Sequence, residues 1–125
     1  MERIYKRSHI NNKEIFYIVF KDLTTSKADM IIAREIFIEV GKMLESYPEH
    51  SLLVIFDVQG TSVNLEVATL IKDLSMNIYK KIKGVSIVGM YGAMQVVLTG
   101  IKLLTKVDIK ATKDIEEAEI YLLNL

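Results

Sequence analysis

The stretch DVQGTSVN, residues 57–64, places Asp57, Gln59, Gly60, Thr61, Ser62 and Asn64 directly after the apolar run SLLVIF. These types supply a carboxylate, amides, two hydroxyls and a backbone free to turn. At the carboxyl end of a strand they could hold a ligand, because the strand-to-helix loops and helix N-termini of a parallel sheet converge there. A second loop, GMYG, offers Gly89, Tyr91 and Gly92 and could form an anion-binding nest. It lacks the Lys-Ser/Thr that follows a phosphate-cradling loop. Thr24, Thr25, Ser26 and Thr112 fall on the same edge. Each of these residues also has a purely structural use: Asp57 can close its own turn, Gly60 can supply positive φ and Asn64 can cap a helix.

The chemistry these residues could run is narrow. Asp57 stands where a response-regulator receiver domain carries its phosphoacceptor, which makes phosphoacceptor chemistry a third reading of the chain. A receiver needs an acidic pair after the first strand, a hydroxyl after the fourth and a lysine after the fifth. Here those places hold Lys21 and Asp22, Met90 and Tyr91, and Lys110 or Lys113, so most of the set is missing. His9 and His50 are the only histidines, and no serine–carboxylate arrangement surrounds them. Both are expected on the solvated surface. Glu116, Glu117 and Glu119 are expected to be a solvated helix face, since acids collect near helix N-termini through the dipole. The absence of cysteine removes disulfides, thiolate metal sites and a cysteine nucleophile. The expectation is a protein that is not an enzyme, with no catalytic residue, metal or cofactor.

The 125 residues fit one domain spanning 1–125. Sixteen basic residues balance sixteen acidic ones, so no net field draws the chain to nucleic acid or an anionic membrane. The first residues are charged, and no apolar run reaches the roughly 20 residues of a membrane span. A soluble, cytoplasmic protein is expected. Hydrophobic residues make up 50%, enough to leave apolar surface unburied.

Periodicity supplies the elements that would position the loops. KEIFYIVF, residues 13–20, reads as a strand paired with RIYKRSHI across an Asn11-Asn12 turn. TTSKAD caps a first helix whose apolar face is Met30, Ala33, Ile36, Phe37, Val40 and Leu44. SLLVIF and VSIVG read as neighbouring buried parallel strands. Between them Asn64 caps a second helix with Val67, Leu70, Ile71, Leu74, Ile78 and Ile82 on one face, and Gly84 is expected to end it. AMQVVLTGIKLLTK makes a third helix, VDIKA a last strand and DIEEAEIYLL a last helix, with Asp114 and Glu117 as its capping box. The fold class is α/β, a mainly parallel, mixed sheet of four to five strands with about four helices.

On this order of elements, and on SLLVIFDVQGTSVNLEV, KKIKGVSIVGMYG and VDIKATKDIEEAEIYL, the chain resembles the STAS-like, SpoIIAA-like family over residues 13–123. The most specific matches are the Asp-x-x-Gly turn, Asp57 to Gly60, and the acidic helix with Glu116, Glu117 and Ala118. The resemblance implies a four-helix, five-strand mixed sheet and no catalysis. In the anti-sigma factor antagonists of that family a kinase phosphorylates a hydroxyl in an Asp-Ser-Ser/Thr step. That step falls here on Asn64, Leu65 and Glu66, which carry none. The chain is closer to the branch without the phosphorylated serine, which has been likened to CRAL-TRIO lipid-binding domains.

Two functions of different class follow. One is a regulatory or protein-interaction module that binds a protein partner or a second copy as a homodimer. The other is a binder of a small apolar or amphipathic ligand under the third helix. On a helical wheel Gln95, Thr99, Lys102 and Lys106 span about 60°, while apolar residues cover about 220°, twice what packing on a sheet requires. Met94, Val97, Ile101 and Leu104 are expected to face the sheet. Met94, Val96, Leu98 and Leu103 form the candidate apolar interaction surface, with Val96 and Leu103 at its edge.

Overall fold

The computed structural model describes residues 3–62, 65–89 and 93–125, with 65 and 93–98 described through their backbone alone. Strands β1 (Ile4–Ser8) and β2 (Glu14–Val19) form an antiparallel hairpin in which Tyr5 pairs with Tyr17. Asn11 and Asn12 turn it at φ 60° and 58°, a left-handed region that Asn tolerates better than most residues. The elements α1 (Lys27–Leu44), β3 (Leu52–Asp57), α2 (Leu65–Ile78), β4 (Ile82–Val88), α3 (Ala93–Thr105), β5 (Asp108–Thr112) and α4 (Ile115–Leu123) follow. The sheet runs in order β1-β2-β3-β4-β5, and β2 to β5 are parallel. This is the five-strand, four-helix α/β sheet expected.

Every residue of β3 is buried, because helices cover both faces of the sheet there. One face carries α1, α2 and α3 over Phe16, Ile18, Val54, Phe56 and Ile87. At its centre the rings of Phe20 and Phe37 stack at 4.9 Å and those of Phe20 and Phe56 at 5.5 Å. The other face carries α4 alone, whose Ala118 and Leu122 pack on Ile15, Tyr17, Leu53, Ile55 and Val88. Caps set the helix starts. Ser26 Oγ accepts from Asp29 N at 3.2 Å, and Asp114 Oδ1 accepts from Glu117 N at 2.8 Å. At the far end of α4 the Lys13 ammonium donates to Leu123 O at 2.8 Å, satisfying a carbonyl that the helix leaves open.

Two expectations are corrected. Gly84 does not end α2: that helix stops at Ile78, a 3-10 turn covers Tyr79–Lys81, and Ile82 and Gly84 belong to β4. A methyl group on Gly84 would come within 2.2 Å of Leu125 Cδ1 and 3.4 Å of Leu122 Cδ2. The glycine lets the end of the chain approach the sheet, which is the usual meaning of a glycine inside a strand. Leu104 does not face the sheet either. Ile101 is 4% exposed but Leu104 is 64% exposed, because the inward stripe passes from Ile101 to Thr105, four residues on, whose side chain meets the core.

Candidate functional site

The carboxyl edge of the sheet is closed by hydrogen bonds between successive loops. Phe20 N donates to Asp57 O at 2.8 Å, Asp22 N to Gln59 O at 3.0 Å and Ser62 N to Leu23 O at 2.8 Å, so the β2 and β3 loops continue side by side past the strand ends. Thr61 joins them from its side chain: its hydroxyl donates to Phe20 O and accepts from Leu23 N. On the other side Val58 N donates to Val88 O at 3.0 Å and Gly89 N to Thr112 O at 3.2 Å. Ser86 Oγ and Thr112 Oγ1, 2.8 Å apart, tie β4 to β5 below that point.

Within this frame Asp57 is 7% exposed, and its Oδ1 accepts from Gln59 N at 3.1 Å and from Gln59 Nε2 at 3.0 Å. The carboxylate thus holds its own turn. Gly60 has φ 73°, and a methyl group there would lie 2.2 Å from Asp22 Oδ1; Gly89 has φ 80°, and a methyl group there would lie 2.9 Å from Gln59 Cα. Asp57, Gly60, Thr61 and Gly89 are therefore brought together as parts of one packed junction. Ser62 is exposed at its rim. Asn64, Tyr91 and Gly92 lie outside the described residues, as do the side chains of Met94, Val96 and Leu98. Leu103 projects from α3 with 74% exposure.

His9 and Glu119, expected as separate solvated groups, belong instead to one polar cluster on the α4 face. His9 Nε2 lies 2.7 Å from the Tyr17 hydroxyl, and that hydroxyl donates to Glu119 Oε2. The His9 and Glu119 side chains are 17% and 24% exposed, so neither is a free surface residue. Burial first, and then the Glu119 carboxylate, hold the Tyr17 hydroxyl protonated well above the ordinary tyrosine range. Tyr5 stacks on the Tyr17 ring at 4.8 Å and the Arg7 guanidinium lies over it at 5.9 Å. Sequence gave one usable signal here, the alternation that puts Tyr5, Arg7, Ile15 and Tyr17 on one face of the hairpin.

An apolar cavity of about 70 Å³ lies between the sheet and helices α2 and α3. Val54, Phe56, Ile71, Val85, Ile87 and Ile101 dominate its wall. Three hydroxyl-bearing residues line it; those of Ser75 and Thr105 donate to carbonyls four residues back, each at 2.8 Å, and Tyr79 supplies the third. It is partly open to the surface rather than sealed. It is smaller than the roughly 150 Å³ that admits benzene. Among the described residues no group of acidic, histidine or cysteine side chains is arranged to hold a metal ion, and no helix is long and apolar enough to cross a membrane.

A solved structure of an uncharacterized DUF3478-family protein from Shewanella loihica PV-4, which has a SpoIIAA-like fold, matches with a TM-score of 0.66 and 18% identity, over 95% of this chain and 91% of that one. The fold is SpoIIAA-like. No family model and no curated protein matches the sequence. In the SpoIIAA-like frame the Asp57–Gly60 turn is the junction between β3 and α2, and α4 is the single helix on the far face of the sheet.

Proposed function

We propose that this SpoIIAA-like domain is a non-enzymatic interaction module that works through its three-helix layer. The observation that carries the reading is the distribution of exposed large apolar side chains. Ile31, Ile38 and Met43 on α1, Met76 on α2 and Leu103 and Leu104 on α3 account for six of the eight found among the described residues. Such clustering on one layer marks an interaction surface better than scattered exposure does. Among the described residues of the carboxyl-edge loops, by contrast, Asp57, Gln59 and Thr61 are hydrogen-bonded within the junction itself. To test the reading, a photo-crosslinking residue is placed at Ile38 or Leu103, with Lys110 on β5 as control, in cells that natively express the chain. Protein adducts from the first two positions and not from Lys110 are expected; equal labelling from all three would remove the helical layer as the binding face.

The cavity favours a second reading, a binder of a small apolar ligand beneath α2 and α3. Its present volume suits a guest of a few heavy atoms, and a longer chain would require the two helices to part. Native mass spectrometry of freshly purified protein distinguishes this reading by a retained mass lost on denaturation.

A further inference from the structure

We propose that the domain assembles head to tail with copies of itself, the Leu103–Leu104 step of α3 in one copy seating in the groove between α1 and α2 of the next. The inference rests on the interaction reading above and gives it a specific partner. Leu103 and Leu104 are 74% and 64% exposed, the two most exposed leucines among the described residues, and stand between the exposed Lys102 and Lys106. They form an apolar knob with a cationic border. The groove holds about 370 Å³, with Phe37, Leu70 and Leu74 in its wall. It is open at Gly41, where an added methyl group would meet nothing within 4 Å. Its charges are complementary to the knob. Arg34 on the rim is already neutralised by Glu66, whereas Asp73 has no ion-pair partner among the described residues and is left to face a cation.

Knob and groove are different surfaces, so the contact is heterologous and repeats from copy to copy until it closes a ring or continues as a filament. It also gives the unusually broad apolar arc of α3 a use that packing on the sheet does not.

Multi-angle light scattering from micromolar to millimolar protein tests this. The wild type is expected to grow in mass with concentration beyond a dimer. Gly41→Leu fills the groove while leaving the knob, and Leu103→Asp with Leu104→Asp removes the knob while leaving the groove; each variant alone is expected to stay monomeric with unchanged circular dichroism. Mixed, they retain one good knob and one good groove between them and are expected to stop at a dimer. Asp73→Lys alone weakens assembly, and adding Lys102→Glu and Lys106→Glu in the same chain restores it. A wild type that stays monomeric throughout, or a folded Gly41→Leu variant that assembles as the wild type does, overturns the proposal. Crosslinking of an unrelated protein at Ile38 or Leu103 in cells would then still support the broader interaction reading, so the two can fail separately.

Discussion

The Tyr17 hydroxyl donates to the Glu119 carboxylate and joins the β-hairpin to the last helix across 102 positions of sequence. With His9 on the same hydroxyl, this polar contact ties α4 to a mainly apolar face. Removing the hydroxyl leaves Glu119 half-buried with a poorer partner. Tyr17→Phe is expected to cost about 1–2 kcal/mol in urea denaturation. The double variant with Glu119→Gln should lose clearly less than the sum of the two single changes; additive losses would show that the contact contributes little.

The same hydroxyl gives a direction for pH dependence. Its folded-state pKa is raised above the ordinary tyrosine range, first by burial and then by Glu119. A raised pKa contributes stability that is complete below the unfolded value and lost as pH rises past it. Thermal melts are therefore expected to fall from about pH 10 upward. Tyr17→Phe should flatten that decline relative to wild type, and an unchanged alkaline limb would count against the assignment.

Glycine substitutions should separate space from backbone strain. At Gly84 an added methyl group meets the far end of the Leu125 side chain, which can move, and about 1 kcal/mol is expected. Gly89 has φ 80° and faces the Gln59 backbone at 2.9 Å, so Gly89→Ala combines strain with a contact that cannot yield. A loss of about 2–3 kcal/mol is expected there. Reversal of this order would mean that the junction at Gln59 is softer than its geometry indicates.

Asp57→Asn keeps an acceptor for the turn and is expected to change stability by about 1 kcal/mol or less. Asp57→Ala orphans both Gln59 donors and should cost more, about 1–2 kcal/mol. Loss of a bound partner or ligand in folded Asp57→Asn would instead assign the carboxylate a direct binding role.

The cavity makes a fifth test possible. Val54→Ile adds a methyl group toward an unfilled wall and is expected to stabilise by about 0.5–1 kcal/mol. If the space is occupied in the native protein, the same change should destabilise and reduce any mass retained in native spectra.

Much of this fold was legible because its signals are local. The near-continuous apolar run of β3 reads as a covered strand, and the caps at Ser26 and Asp114 lie within three residues of what they bond. The misreadings arose where the deciding partner is distant in sequence. A glycine following a helical pattern is most often a helix stop, and Gly84 means otherwise only because Leu125 and Leu122 press on it. His9 and Glu119 look like solvated residues until the sheet brings Tyr17 between them. Leu104 lies mid-arc on a helical wheel, but a wheel cannot register that the inward stripe turns toward Thr105. Asp57, Gly60, Thr61 and Gly89 could be placed on one sheet edge from the element order alone, while the bonds and contacts among their loops follow only from how the loops lie side by side.

The strand order β1-β2-β3-β4-β5 carries a consequence for how the molecule comes into being. No strand has to be threaded between two that are already in place. Each new strand can be added at the free edge left by its predecessor, after closing only one helix-length loop, and loop closure is the main kinetic toll on parallel sheets. The hairpin can therefore serve as a seed from which the sheet lengthens in one direction. The contact between Tyr17 and Glu119 runs back from the final helix to that hairpin, so the last element of the chain closes onto the first.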